Sequence, residues 1–237
     1  MTKLSVNINK LATLRNSRGG NVPDLIKATK DIEAFGAQGI TIHPRPDERH
    51  IRYQDARDLK GVVSTEFNIE GNPIPKFIDL VLEVKPTQVT LVPDAEDAIT
   101  SNSGWDTIKH KAFLKETIQT FKSNGIRTSI FVDPDVAMVE GAAYTGTDRI
   151  ELYTESFAQH YFEKRSEAIQ PFITAANKAR EMDLGVNAGH DLSLDNIKYF
   201  SDRIPDLLEV SIGHALICES LYLGLENVVN MYLHRLG

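Results

Sequence analysis

LSVNIN at residues 4–9 and GITIHPR at residues 39–45 are the first of eight short apolar runs that decide how this chain folds. Apolar and polar residues alternate in them, and a strand points alternate side chains to opposite faces. Ile40 and Ile42 would therefore share one face while His43 lies on the other. A buried polar face is costly unless its groups are hydrogen-bonded, so repeated polar faces indicate a functional site at a common centre. The other runs are VSTEFNIE (63–70), QVTLVPD (88–94), RTSIFVDP (127–134), RIELYTE (149–155), LGVNAGH (184–190) and LLEVSIGH (207–214).

Segments with helical spacing lie between these runs. In the first of them Leu25, Ile32 and Phe35 fall on one apolar stripe, and Gly36 supplies a stop signal. A proline inside a helical pattern ends or divides the helix, so we expect a break at Pro171. The predicted helices cover residues 23–35, 75–84, 108–124, 135–144, 193–200 and 215–233, with two more in 156–183.

The alternation of strands and helices predicts one α/β domain over residues 1–237, a single (β/α)8 TIM barrel. Crossovers between parallel strands are nearly always right-handed, and eight such units close naturally into a barrel. The alternative is an open doubly wound sheet, which normally shows continuous apolar central strands and a glycine-rich first turn. The sequence has neither feature. Its 237 residues fit one barrel and require no second domain.

Composition limits the partners that this chain can have. A formal charge of −7 argues against a nucleic-acid or anionic-membrane binder, because the average field attracts neither partner. The single cysteine, Cys218, excludes an internal disulfide and a cysteine zinc cage, and is typical of a reducing compartment. No apolar stretch approaches about 18 residues, and no hydrophobic signal segment precedes Asn7. We therefore expect a soluble, cytoplasmic protein.

The densest group of chemically active residues is HPRPDERHIR at residues 43–52, with two histidines and three arginines. Arginine forks match phosphate oxygens and histidine adds a further donor, so this segment predicts a phosphate cradle. The alternative is a solvated, salt-bridged loop, since Asp47 and Glu48 lie in the same stretch. Arg15 and Arg18 form a second, weaker basic group after the first strand.

The loops after the seventh and eighth predicted strands read NAGHD (187–191) and SIGHAL (211–216). Phosphate sites in these barrels often use the same two loops together with the N-terminus of the following helix. Gly189 and Gly213 allow a close approach of the backbone, and amides near His214 would point at an anion. The two loops therefore predict an anion-binding turn.

Three side chains at predicted strand ends are candidates for proton transfer: His43, Glu70 and His190. Histidine titrates near neutral pH, and desolvation in a barrel mouth raises the pKa of a glutamate, so each could give or take protons. For each histidine the alternative is a structural hydrogen bond. Asn187 and His190 fall on opposite faces of a regular strand, so the chain must bend around Gly189 if both face the site.

The sequence predicts no metal centre. Metal-dependent hydrolases on this architecture usually begin with a His-x-His pair on the first strand, where this chain has Asn7 and Asn9. It also has no P-loop and no dinucleotide fingerprint. We therefore expect a site that works without metal or nucleotide cofactor.

In this order and combination, the motifs of the chain resemble those of the pyridoxine 5′-phosphate synthase family. The resemblance runs from the first strand to the last helix. Members of that family are (β/α)8 barrels with additional helices that assemble as octamers, and they make the pyridine ring of vitamin B6 without metal or organic cofactor. The matching motifs are VNIN (6–9), ATLRNSRG (12–19), GITIHPRPDERHI (39–51), FNIE (67–70), LVPD (91–94) with Thr100 downstream, IELYT (150–154), VNAGHDL (186–192) and SIGHALI (211–217).

The resemblance implies a condensation of 3-amino-2-oxopropyl phosphate with 1-deoxy-D-xylulose 5-phosphate that yields pyridoxine 5′-phosphate, phosphate and water. It also implies that His43 and Glu70 are general bases and His190 a general acid. The implied substrate contacts are Asn7, Arg18, Gly213 and His214 for the amino ketone phosphate, Arg45, His50 and Thr100 for the sugar phosphate, and Glu151 as a further polar contact.

Two departures from the family pattern affect substrate contacts. Many members have Asp-His where this chain has Asn9 and Lys10, and a lysine there could still meet a phosphate or hydroxyl group. Many members have glycine where this chain has Asp191. We expect the backbone of Asp191 to contact the ligand and its carboxylate to cap the following helix.

Two other functions remain open on sequence grounds. A sugar-phosphate isomerase or aldolase on the same barrel would explain the scaffold and the phosphate groups, but not three dispersed acid-base residues and a second basic loop. A phosphate-binding protein without enzymatic activity is the other alternative.

Overall fold

Eight parallel strands close into a barrel in the order in which they occur along the chain. The computed structural model describes residues 1–94 and 101–237. This closed barrel of parallel strands confirms the predicted (β/α)8 architecture. The strands are β1 Lys3–Asn7, β2 Gly39–Ile42, β3 Glu66–Gly71, β4 Gln88–Leu91, β5 Arg127–Val132, β6 Arg149–Tyr153, β7 Gly185–Gly189 and β8 Leu207–Ile212.

Helices connect the strands and surround the barrel. Among the described residues, no helix is both long enough and apolar enough to cross a membrane. The helices are α1 Asn9–Asn16, α2 Leu25–Ala34, α3 Tyr53–Lys60, α4 Pro75–Val84, α5 Lys111–Ser123, α6 Val136–Ala143, α7 Glu155–Ala168, α8 Gln170–Glu181, α9 Ile197–Ser201, α10 His214–Leu223 and α11 Leu225–Leu236.

Helix α1 was not predicted, and it changes the position of Asn9. The strand β1 ends at Asn7, and Ile8, with φ −91° and ψ 9°, already leaves the extended conformation. Asn9 therefore begins a helix and does not share a strand face with Asn7, as the alternation had suggested. The side chain of Asn7 supports this turn, since its Oδ1 accepts from the Asn9 backbone N–H at 3.1 Å.

Helix α3 was also missed, because it is only eight residues long and half of its residues are charged. Its buried residues are Tyr53, Ala56 and Leu59, a weak apolar stripe. Asp55 stabilises its start, since the carboxylate accepts from the Arg52 backbone N–H at 2.7 Å. This is the side chain to backbone contact expected at a helix N-terminus.

The predicted break in residues 156–183 is confirmed. A further break, at Gly224, was not predicted. Pro171 lies in the first turn of α8, where a proline is tolerated. Gly224 separates α10 from α11 with φ +84°, a conformation that glycine adopts at little cost. The single helix predicted over 215–233 is therefore two helices.

The inside of the barrel is polar at the level of its middle layer. Ser5 Oγ lies 2.7 Å from Thr41 Oγ1, and Asn68 Nδ2 donates to Thr41 Oγ1 at 3.4 Å. Thr90 Oγ1 donates to Asn68 Oδ1 at 3.1 Å. The apolar faces of the strands pack outward against the helices, as Ile40 and its neighbours do in the main core cluster. The polar faces predicted from the sequence thus share one interior.

Candidate active site

A cavity of about 530 Å³ opens at the carboxyl ends of the strands. This is the end where barrel enzymes carry their active sites, because the loops that follow the strands meet there. Residues from both ends of the chain and from the middle line it. They are Asn7, Asn9, Lys10, His43, Arg45, His50, Glu70, Val92, Ser101, Phe131, Glu151, His190, Asp191, Ser211, Gly213, His214 and Ala215.

His43 and Glu70 form the centre of the cavity wall. His43 Nδ1 lies 3.9 Å from Glu70 Oε2, and the His43 backbone N–H donates to Asn9 Oδ1 at 2.9 Å. Asn7 Nδ2 donates to Glu70 Oε2 at 3.4 Å, and Ser211 Oγ donates to Glu70 Oε1 at 3.5 Å. Both donors are uncharged groups. They orient the Glu70 carboxyl group but do not stabilise its ionised form with a positive charge.

Burial sets the protonation of these groups. Desolvation, reinforced by the Asp94 charge, raises the pKa of Glu70 to about 8. Desolvation also raises the pKa of Glu151 well above its usual range, with the Glu70 charge as the next cause. For His43, desolvation and the Arg45 charge lower the pKa well below the usual histidine range. Near neutral pH the site therefore holds a neutral imidazole beside carboxyl groups that retain protons, a combination suited to proton transfer.

Arg45 lies on one side of this centre in a buried ion pair. Its Nη2 donates to Asp94 Oδ2, and Ser101 Oγ donates to the same oxygen at 2.8 Å. The pKa of His50 falls to about 4, because of desolvation first and then the charges of Arg45, Lys10 and Arg49. His50 is therefore a neutral hydrogen-bonding group beside a permanent cation.

His190 lies on the opposite side, and its backbone makes the bend that strand parity required. It has φ +89°, a conformation rarely adopted by residues other than glycine. Asn187 keeps its side chain inside the barrel, where its Oδ1 accepts from Arg149 Nη1 at 3.3 Å. The ring of His190 meets the edge of Tyr153, with centroids 5.2 Å apart. The predicted bend therefore lies at His190 itself, directly after Gly189.

The carboxylate of Asp191 does not cap a helix, contrary to the expectation from sequence. Its Oδ2 lies 2.7 Å from His190 Nδ1. The following helix α9 begins at Ile197 and has Asn196 at its N-cap position. The distance along the chain explains the difference, because a cap must directly precede the first turn.

Close approaches at the cavity wall leave little room for a side chain at two glycines. A Cβ at Gly189 would lie 2.5 Å from Glu151 Oε1, and one at Gly213 would lie 3.1 Å from Asn7 Cβ. Gly213 is the N-cap of α10, and His214 is its first residue. The free amides at the start of α10 therefore lie at the cavity, as the predicted anion-binding turn requires.

All but two of the residues that were predicted to act in catalysis or substrate binding line this cavity. Arg18 is exposed and follows α1, away from the cavity lining, and Thr100 lies outside the described residues. Arg15 does not form an anion cradle with Arg18, because its guanidinium is buried against Asp55. The roles of the predicted residues in substrate binding and catalysis stay predictions.

Sequence reasoning missed several lining residues and one central contact. Ser211 could have been found, because it shares strand parity with Gly213. The pairing of Asp94 with Arg45 had no sequence signal, since 49 positions separate the two residues. The lining residues that were not predicted are Val92, Ser101, Phe131, Ser211 and Ala215.

Comparison with known proteins identifies the family. A family profile described as "Pyridoxal phosphate biosynthesis protein PdxJ" matches residues 4–237. This chain belongs to that family. Its curated relatives include proteins named pyridoxine 5′-phosphate synthase from Flavobacterium johnsoniae, 72% identical, and Christiangramia forsetii, 69% identical, each over 236 residues and the full length of both chains. The family resemblance drawn from the motifs is confirmed.

Solved structures similar to this PdxJ family member share its fold. Phosphoribosylanthranilate isomerase from Thermotoga maritima has a TM-score of 0.63 at 14% identity, covering 100% of this chain and 98% of that one. A 4-hydroxy-2-oxoglutarate aldolase has a TM-score of 0.67 at 15% identity, covering 99% and 94%. At such identities the likeness establishes the barrel architecture and nothing about the reaction.

Proposed function

We propose that this chain catalyses the reaction for which its relatives are named. It would condense 3-amino-2-oxopropyl phosphate with 1-deoxy-D-xylulose 5-phosphate to give pyridoxine 5′-phosphate, phosphate and water. The observation that carries the proposal is the convergence of His43, Glu70 and His190 on one cavity. Membership of the PdxJ family over residues 4–237 supports it.

Two substrates with phosphate groups need two anion-binding seats, and we place one at the start of α10 and one at Arg45. The start of α10, with Gly213 and His214, would bind the amino ketone phosphate through backbone amides, with Asn7 beside it. Arg45 and His50, in the loop after β2, would hold the sugar phosphate. The lining residues would bring the two reacting carbon chains together between the seats. Arg18 and Thr100 are proposed as further contacts to the amino ketone and sugar phosphates, respectively, and Asn9, Lys10, Glu151 and the backbone of Asp191 as further polar contacts.

Ring formation needs repeated proton transfers, because an amine joins a ketone, water and phosphate leave, and the ring closes. His43 is kept neutral by its surroundings, so one of its ring nitrogens carries a lone pair to which a substrate proton can pass. Glu70, whose pKa is about 8, can exchange protons near neutral pH. His190 would donate a proton to a departing oxygen from the other side of the cavity. Separate acid and base groups allow each step to use the group nearest to it.

Further features of the proposal concern class, assembly and location. We propose a transferase-class enzyme of vitamin B6 biosynthesis that needs no metal or organic cofactor. The chain would work as one domain in a homo-octamer in the cytoplasm, with small phosphorylated substrates and no nucleic-acid or membrane partner. Within the described residues, no cluster of three or more His, Cys, Asp or Glu side chains is arranged to hold a metal ion.

The test is to incubate purified protein with both substrates and to follow pyridoxine 5′-phosphate by fluorescence and mass. We expect product only when both substrates are present. Turnover of the sugar phosphate alone would favour an isomerase or aldolase instead. Binding of phosphorylated ligands by folded protein, without any turnover, would favour the nonenzymatic alternative.

Replacing Arg45 by alanine is expected to weaken sugar-phosphate binding by about 10- to 100-fold, which corresponds to the loss of one or two charged hydrogen bonds. Binding of the amino ketone phosphate should change less than about threefold, because its seat lies at α10. Separate calorimetric titrations measure both. Arg52→Ala is the matched control, since Arg52 is an exposed cation in the same loop that does not line the cavity. Equal weakening of both substrates in Arg45→Ala would contradict the assignment of two seats.

A further inference from the structure

Asp191 and His190 form a carboxylate–imidazole pair at the wall of the cavity. His190 Nδ1 and Asp191 Oδ2 lie 2.7 Å apart, and both residues line the cavity. An ionised carboxylate only accepts hydrogen bonds, so the hydrogen in this contact belongs to His190 Nδ1.

The backbone around the pair is held on both sides. The Asp191 N–H donates to Thr154 Oγ1 at 3.1 Å, and Thr154 Oγ1 donates to the Gly189 carbonyl at 2.7 Å. Asn196 Nδ2 donates to the Asp191 carbonyl at 3.4 Å. With the left-handed backbone of His190, these contacts fix the direction in which the carboxylate leaves the chain. The fold therefore places the Asp191 carboxylate next to the His190 imidazole.

The imidazole is also fixed from the side of the neighbouring strand. Tyr153 meets the ring at an interplanar angle of 87°, and Tyr153 OH donates to Glu155 Oε2 at 2.8 Å. The ring therefore has an aromatic wall on one side and a carboxylate at Nδ1. Tyr153 itself interacts with Glu155, Asp191 and Asp133. The charged and titratable groups that line the cavity with His190 are Lys10, His43, Arg45, His50, Glu70, Glu151, Asp191 and His214.

We propose that Asp191 is a positioning residue that holds His190 as the Nδ1–H form and so assigns proton transfer to Nε2. The inference deepens the proposed function and rests on it. In the donating step, the Nε2–H bond of the imidazolium breaks, the proton passes to the departing oxygen, and a neutral ring that retains Nδ1–H remains. A residue that orients the catalytic imidazole through its other nitrogen is a recurring device in acid–base catalysis.

The first test is spectroscopic and does not depend on catalysis. Magic-angle-spinning NMR of protein labelled with ¹⁵N-histidine, recorded at pH 8.5, distinguishes the two neutral forms of each ring. The chain has seven histidines, and the His190→Ala spectrum identifies the signal of interest. We expect the Nδ1–H form for His190 in the wild type and a mixture dominated by Nε2–H in Asp191→Gly. An Nε2–H form in the wild type would overturn the proposal.

The second test separates positioning from structure by kinetics. Asp191→Gly is expected to lower kcat by about 10-fold while each KM changes less than about threefold, because only the orientation of the proton donor is lost. Asp191→Asn retains an acceptor oxygen and should lie between Asp191→Gly and the wild type. Asp195→Asn is the matched control, since it removes an exposed carboxylate from the same loop, and its kcat should equal that of the wild type.

The outcomes distinguish this inference from the proposed function. A wild type that forms product, with an unchanged kcat in Asp191→Gly, overturns the positioning role and leaves the proposed function intact. A wild type that forms no product overturns the proposed function and the catalytic part of the inference, while the nitrogen shifts still decide which ring nitrogen carries hydrogen. Thermal unfolding of each variant shows whether a loss of rate reflects a loss of folding.

Discussion

Glu70→Gln is expected to lower kcat by about 10²-fold or more, because it removes an exchangeable proton from the centre of the site without changing its shape. The amide can still meet Asn7 and Ser211, so the geometry of the cavity wall is retained. His43→Ala and His190→Ala should lose activity on the same scale, since each removes a different proton-transfer group. Steady-state formation of pyridoxine 5′-phosphate measures the effect, and near-normal rates would show that the roles are wrongly assigned.

Glu66→Gln is the matched control for this loss of activity. Glu66 begins the same strand, β3, and pairs with Lys3 and Arg127 at the opposite end of the barrel. The same chemical change there should leave kcat within about twofold of the wild type, because Glu66 does not line the cavity. A large loss in both variants would indicate a general effect of removing a barrel carboxylate.

The stability of Glu70→Gln provides a second check, and its sign follows from proton linkage. The pKa of Glu70 is raised from 4.5 to about 8 by burial. The stability contributed by its protonated form is therefore fully present below pH 4.5 and is lost as the pH rises through about 8. Glutamine has no such loss, so the variant should become more stable than the wild type above pH 8, by roughly 2–4 kcal/mol. Urea unfolding at pH 5 and pH 9 measures the difference.

The barrel could be predicted because polar and apolar residues alternate along each strand, and such strands alternate with helical segments along the chain. Ile40 and Ile42 face the helices while Thr41 faces the interior, and each of these positions follows from alternation alone. His43 continues the polar face of its strand, so its place at the mouth of the barrel also follows. Site residues at strand ends are thus predictable once the strands and their direction are known.

Features that depend on contacts between distant residues could not be predicted in the same way. The chain turns at Ile8 because Asn7 accepts a hydrogen bond from the next residue but one, so Asn9 reaches the cavity from a helix. Asp94 meets Arg45 only because the barrel brings together the loops that follow β2 and β4. The basic residue Arg15 looked like a ligand group, and only the fold reveals that a carboxylate of another helix already binds it.

Arg15→Met is expected to lower the free energy of unfolding by about 3 kcal/mol, because it leaves a largely buried carboxylate without its partner. Arg15 Nη1 donates to Asp55 Oδ1 at 2.6 Å and Nη2 donates to Asp55 Oδ2 at 2.8 Å, with only 3% of the Arg15 side chain exposed. The exposed pair of Arg57 with Glu83 has similar bidentate geometry and gives the control, since Arg57→Met should destabilise the protein far less than Arg15→Met. Urea unfolding measures both.

The same guanidinium should also affect the sugar-phosphate seat. Arg15 Nη2 donates to the His50 carbonyl at 3.2 Å, and Asn16 Nδ2 donates to the same oxygen at 2.8 Å, so α1 holds the loop that carries Arg45 and His50. Arg15→Met should therefore weaken sugar-phosphate binding by about threefold to tenfold even where the protein is fully folded, with little effect on the amino ketone phosphate. Equal stability losses in Arg15→Met and Arg57→Met would show that burial of the pair does not matter. Unchanged sugar-phosphate binding in folded Arg15→Met would show that Asn16 alone is enough to hold the loop.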